Sequence, residues 1–199
     1  VEDNRLVVMN AKAASELGAV IETHTAMTAA KRDGDGWSVT VSLGGHQRTI
    51  RARTLINAAG PWANDIVSRT AGRPARGKVR LVQGSHIVVP KLYAHDRCFI
   101  FQNSDSRIFF TIPYEGDYTL VGTTDRDFDG DIDRFSATEQ EKAYLCNAVS
   151  RCFDRPLTTA DIVWSYSGVR PLYDDGASAA QKATRDYVIE VDDEAGIGL

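Results

Sequence analysis

From residue 78 to residue 191 the chain is a succession of short apolar runs with one helical stretch among them, and this limits it more than any other feature does. Lys78 to Pro90, Cys98 to Gln102, Arg107 to Ile112, Tyr118 to Gly122, Ile162 to Val169 and Asp186 to Val191 each read as a strand. Polar, glycine-bearing segments separate them. Ser136-Ala-Thr-Glu139 has the pattern of a capping box and opens a helix to about Arg151. Short strands in sequence with little helix between them have no crossover units, so this half predicts a mostly antiparallel sheet carrying one helix.

The first third has another rhythm. Residues 2–17 predict a helix, with Leu6, Val7, Met9, Ala13, Ala14 and Leu17 favouring one face and Gly18 as its stop. Ala19 to Thr23 follows as a short strand, the ending expected of a crossover unit in an α/β sheet. Thr25 to Lys31, Trp37 to Val41 and Gln47 to Arg51 then read as strands joined by turns at Asp33-Gly-Asp-Gly36 and Gly44-Gly45. Arg53 to Ala58 predicts a buried strand running toward Gly60, and Pro61 suits the start of a helix over about 61–71. The expected division is therefore 1–72, the later part of a dinucleotide-binding layer, and 73–199, a sheet domain whose last strands near 186–199 return to the first part. Gly72 to Gly77 is the expected linker.

Composition excludes several classes. Hydrophobic residues make up 43 % of the chain and charged residues 25 %, enough for a core. The net charge of −4 gives no basic field for nucleic acid, and Arg73, Arg76, Lys78 and Arg80 read as a solvated loop. Cys98, Cys146 and Cys152 form no metal- or disulfide-type pair and read as structural, which suits a reducing compartment. There is no signal-peptide pattern and no apolar run of about 18 residues. The opening Val-Glu-Asp-Asn-Arg, without methionine, suggests a piece of a longer protein.

Four segments carry candidate chemistry. Asn57-Ala-Ala-Gly60-Pro61-Trp62 is a strand-to-helix corner of small residues, where a backbone can approach a ligand; many such corners bind nothing. His86 stands at the head of an apolar strand and suits a general base, or a hydrogen-bonded structural role. Arg170 lies at the end of an apolar strand, where a guanidinium needs an anion; that anion is either a ligand or Asp174, Asp175 or Asp186. Arg185 offers a second cation, with Asp186 beside it as an alternative ion-pair partner. The acidic run Asp125 to Asp133 imitates a calcium loop, but Ser136 stands where the bidentate glutamate belongs, so it reads as a solvated loop and no metal site is expected. No GxGxxG occurs anywhere.

Taken in order, Asp3-Asn-Arg5-Leu6, Asn57 to Trp62, Gly84-Ser-His86-Ile-Val-Val-Pro90, Val121-Gly-Thr-Thr-Asp125, Asp161 to Leu172 and Thr184-Arg-Asp-Tyr187 form a series. It resembles the FAD-dependent, respiratory glycerol-3-phosphate dehydrogenases from about residue 2 to residue 194. The resemblance implies an α/β plus α+β fold: part of a Rossmann-like FAD layer, joined to the antiparallel-sheet substrate domain of the D-amino-acid-oxidase type. It implies FAD as cofactor, held in part by Ala59, Gly60, Pro61 and Trp62, and oxidation of sn-glycerol 3-phosphate to dihydroxyacetone phosphate. His86 and Arg170 would be catalytic, and His86, Arg170 and Arg185 would bind substrate. Electrons would pass to quinone in a peripheral membrane protein, a homodimer, on the cytoplasmic face of the cytoplasmic membrane. The family's N-terminal phosphate-binding segment and its Gly-Gly-Lys segment beyond residue 199 are missing, so this stretch alone is expected to hold FAD weakly or not at all and not to turn over. Rival readings are an amine or amino-acid oxidase of the same superfamily and a non-catalytic binding domain.

Overall fold

A computed structural model of the chain describes residues 3–71 and 79–176, with 178, 180, 183–186, 188 and 189. The described residues fall into two compact units, one of residues 3–56 and 67–71 and the other of 57–66 and 79–189.

The first unit opens with helix α1 (Asp3–Glu16), none of whose residues is buried. Strands β1 (Thr25–Asp33), β2 (Gly36–Leu43) and β3 (His46–Ala52) form an antiparallel meander in that order. Turns at Gly34 and at Gly44-Gly45, all with positive φ, join them as the sequence predicts. Alternation along β2 sends Trp37, Val39 and Val41 into a small core with Ala30, against which Met27 and Leu55 pack.

Two expected strands are absent. Ala19 to Thr23 and Arg53 to Ala58 are irregular, and Val20 and Ile56 are more than four-fifths exposed. A buried strand takes its backbone hydrogen bonds from neighbours, and no described strand pairs with either segment.

The second unit is built on a six-stranded sheet. Its strands are β4 (Val79–Pro90), β5 (Phe99–Gln102), β6 (Ile108–Tyr114), β7 (Tyr118–Gly122), the short β8 (Arg126–Asp127) and β9 (Trp164–Tyr173). Four run in the order β5-β6-β7-β4, every pairing antiparallel. β4 pairs with β7 through residues 86–90 and with β8 through residues 82–83. It also pairs with β9 along ten residues, from Val79↔Tyr173 to Val88↔Trp164. β9 runs past Arg170, which is therefore inside the strand and not at its end. Pro171 is tolerated because, among the described strands, β9 pairs with β4 alone.

Helix α3 (Glu139–Ser150) covers one face of this sheet. Leu145, Ala148 and Val149 pack there with Ile87, Val89, Phe109, Val121 and Leu157, a spacing that gives the helix one apolar stripe. Cys146 lies in the same core, where burial pushes its thiol pKa up. Cys98 and Cys152 are exposed. The capping box falls two residues beyond its expected place: Thr138 is the N-cap and Glu141 closes it. Glu139, by contrast, is exposed and pairs with Lys142. Both spacings fit the pattern, and the deciding factor is that Glu141 has buried partners on the sheet.

The strand expected at 186–191 lies largely outside the described residues; Asp186, Val188 and Ile189 are in no strand. The proposed linker 72–77 is also outside them.

Candidate functional site

Side chains alternate across a sheet, and register partners share a face. On β4, Gln83, Ser85, Ile87 and Val89 belong to the face that carries α3. Gly84 and His86 therefore belong to the opposite face. On β9 their register partners are Gly168 and Tyr166, with Arg170 opposite Val82. Along β9 Trp164, Tyr166 and Gly168 are exposed, so this face is open on that side.

His86 is placed by two neighbours. Its ring stacks on Tyr166 with centroids 4.8 Å apart and planes within 3°. It also lies across Gly122, its register partner on β7. A Cβ at position 122 would overlap the imidazole, so only glycine admits this placement.

Arg170 is placed in a similar way. A Cβ at Gly84 would come within 2.9 Å of its Nη2 and 2.8 Å of Thr123 Oγ1, so the guanidinium leans over the backbone of residue 84. Two residues along an antiparallel strand separate that point from His86, roughly 7 Å. Nη1 donates to Asp125 Oδ1 at 2.9 Å, and Nη2 donates to Thr123 Oγ1 at 3.3 Å. The other carboxylate oxygen, Asp125 Oδ2, accepts from Arg185 Nη2 at 3.2 Å. Asp125 is only 18 % exposed, while Arg170 and Arg185 are 37 % and 46 % exposed. One largely buried carboxylate thus aligns two partly exposed guanidinium groups, leaving positive charge toward solvent.

This corrects two sequence readings. Arg170 is paired with Asp125, 45 residues away, and Arg185 shares that same carboxylate, in place of the nearby acids Asp174, Asp175 and Asp186. The acidic run is not simply a solvated loop either. Asp125 anchors the arginines, and Asp127 accepts a two-pronged bond from Arg80 at 2.6 and 2.8 Å. That bond holds the Asp127 carboxyl below the usual range and removes Arg80 from the set of free loop charges.

The corner at Asn57 belongs to the same unit. Gly60 takes φ +57° and begins a single 3-10 turn, Gly60–Trp62, that packs against β9 and leads into helix α2 (Ala63–Ala71). The Asn57 side chain braces it: Oδ1 accepts from Ala59 N–H at 3.2 Å and Nδ2 donates to Ala63 O at 2.8 Å. Trp62 remains 42 % exposed. Small residues, an exposed indole and a rigid corner fit the edge of a large planar cofactor.

Behind the open face lies a polar cluster that sequence reasoning missed. Glu141, 6 % exposed, accepts at Oε1 from Ser85 and Thr124 hydroxyls, both at 2.7 Å. At Oε2 it accepts from Gln83 Nε2 at 3.1 Å and from Thr138 N–H and Oγ1 at 3.0 and 2.9 Å. Burial alone would raise its pKa; the Thr138 N–H and the Thr124, Ser85 and Thr138 hydroxyls outweigh it and hold the group below the usual glutamate value. The only sequence trace of the cluster is the polar pair Gln83 and Ser85 inside an otherwise apolar strand.

The chain is a member of the FAD dependent oxidoreductase family, whose profile it matches over residues 1–193. Among curated proteins it is 44 % identical to D-erythritol 1-phosphate dehydrogenase of Brucella abortus (strain 2308), over all of this chain and 40 % of that protein. It is 43 % identical to a glycerol-3-phosphate dehydrogenase of Pseudomonas aeruginosa, over 96 % of this chain and 38 % of that one. The solved glycerol-3-phosphate dehydrogenase of Bacillus halodurans, complexed with FAD, superposes with a TM-score of 0.71 at 30 % identity, over 83 % of this chain and 34 % of that one. The chain therefore spans about two fifths of the length of these curated relatives. The fold class expected from the sequence, mixed helix with antiparallel sheets of the FAD-linked oxidoreductases, holds.

Proposed function

We propose that the protein carrying this chain oxidises a secondary alcohol of a small phosphorylated polyol, with sn-glycerol 3-phosphate as first substrate and dihydroxyacetone phosphate as product. The observation that carries the reading is the alignment of Arg170 and Arg185 on Asp125, on the sheet face that also presents His86. A phosphate dianion needs fixed cations, and guanidinium donors match its oxygens in pairs. The Arg170 head leans over Gly84, two residues or roughly 7 Å along β4 from His86, a spacing that suits a short carbon chain with its phosphate at one end and its reacting hydroxyl at the other. His86 takes the hydroxyl proton as the carbon is oxidised, and Tyr166 and Gly122 hold the imidazole for that role. Arg170 also stabilises negative charge that develops on the oxygen.

The residues at the corner fit FAD: Ala59, Gly60, Pro61 and Trp62 would hold it beside β9. When bound, FAD supplies the hydride acceptor. Quinone as the electron acceptor, contact with the cytoplasmic face of the cytoplasmic membrane and a homodimer belong to the same reading and rest on the family resemblance. Among the described residues no helix is long and apolar enough to cross a membrane.

A second substrate, D-erythritol 1-phosphate, is favoured by the relative that matches the whole chain. The space beside Gly168, where a Cβ would meet nothing within 4 Å, leaves room for a longer polyol. The test is anaerobic addition of each substrate to the full-length, flavin-loaded protein while visible absorbance is followed. Bleaching by either phosphate supports the reading, and the faster one names the substrate. An intact flavin that dithionite reduces but neither phosphate does would shift the reading to an amine or amino-acid oxidase.

A further inference from the structure

We infer that Glu141, on the covered face of the sheet, is a positioning residue for the site on the open face. The inference rests on the polyol-phosphate reading for its functional meaning. As a helix cap, Glu141 needs only Thr138. Its second oxygen instead reaches into the sheet, and a carboxylate that is 6 % exposed is costly unless fully hydrogen-bonded. The cap accounts for the Thr138 bonds at Oε2 and not for the bonds at Oε1.

The partners of Oε1 are informative. Ser85 lies between Gly84, which seats Arg170, and His86. Thr124 lies between Thr123 and Asp125, both bonded to Arg170. The two are also joined directly: Ser85 N–H donates to Thr124 Oγ1 at 2.9 Å, and Thr124 N–H donates to Ser85 O at 3.3 Å. Ser85 Oγ shares a further 2.8 Å hydrogen bond with Ser167 Oγ, between Tyr166 and Gly168. Gln83, which bonds Oε2, accepts from Arg126 at 2.8 Å, just after Asp125. One carboxylate thus fixes the mutual register of three segments, 84–86, 123–125 and 166–168. His86, its stacking partner Tyr166, and the Arg170 partners Thr123 and Asp125 each sit next to a residue of this network.

The experiment uses full-length, flavin-loaded protein and the variants Glu141→Gln, Thr124→Val and Leu145→Ala. Thr124→Val removes one hydroxyl and leaves the helix cap intact. Leu145→Ala damages the same core from the same helix without touching the network. The readouts are the dissociation constant for inorganic phosphate, KM against kcat for glycerol 3-phosphate, and amide hydrogen exchange of residues 122–126 without ligand. Glu141→Gln and Thr124→Val are expected to weaken phosphate binding and raise KM about ten-fold, the size of one good charge-assisted bond, and to speed exchange at 122–126. Leu145→Ala is expected to lower the melting temperature while phosphate affinity of the folded protein stays near wild type. Unchanged phosphate affinity and exchange in Thr124→Val, or equal losses in Leu145→Ala, would overturn the inference. Should neither polyol phosphate bleach the wild-type flavin, the substrate reading fails alone. Should phosphate not bind the wild type, the exchange of 122–126 decides the positioning role.

Discussion

The two faces of the six-stranded sheet solve opposite problems with the same strands. On the covered face, Ile87, Val89, Phe109 and Val121 meet α3 in close apolar contact, each at most 1 % exposed. On the open face the same strands carry glycine where a side chain would fill space, and charge where a core would exclude it. A protein interior gains from every methylene it encloses; a site gains from groups held in place yet short of partners. Glu141 is the point where these requirements meet, a charged group inside the covered face that serves the open one.

Substitutions should separate the faces. Arg170→Ala is expected to have the largest effect, a loss of about 10²–10³ in kcat, the scale seen when a donor to developing charge is removed. Steady-state kinetics would show it, and the melting temperature should move little, because Arg170 is partly exposed and Asp125 keeps Arg185. A large fall in melting temperature with unchanged kinetics would break the comparison. Phe109→Ala should show the reverse, a loss of about 3–5 kcal/mol in stability by denaturant titration, with near-normal kinetics in whatever remains folded. The smallest effect is in acid. The folded pKa of Glu141 is depressed, so its contribution to stability is fully present above the unfolded value of roughly 4.3 and is lost as pH falls through the lower folded value. Denaturation midpoints between about pH 6 and 3 should fall less steeply in Glu141→Gln than in wild type. An identical slope would sharpen the comparison by assigning acid sensitivity to other carboxylates, Asp127 and Asp161 first, whose values are also lowered.

What could be read from the sequence followed the range of the interaction. The β1–β3 meander was legible because Asp-Gly and Gly-Gly turns and the alternation along Trp37 to Val41 are local signals. The segments at 19–23 and 53–58 looked like strands because they are apolar, but strands need neighbours as well as apolar residues. His86, Arg170 and Arg185 stood out by type and by their motifs. Asp125 did not, because an acid in an acidic run looks solvated until the fold brings it to arginines 45 and 60 residues away. The capping box was displaced by two residues for a related reason, since local spacing fits Glu139 as well as Glu141 and only the tertiary partners distinguish them.

The glycines of the open face differ in how much change they allow. At 122 a side chain would strike the His86 ring, and at 84 it would crowd Thr123 and the Arg170 head, so a change at either displaces a candidate site residue. At 168 the missing side chain opens onto empty space, and a methyl or hydroxymethyl group can be added with no neighbour moving. On the proposed polyol-phosphate reading, position 168 is therefore the one of these three glycines through which a preference for shorter or longer polyols can drift in small viable steps.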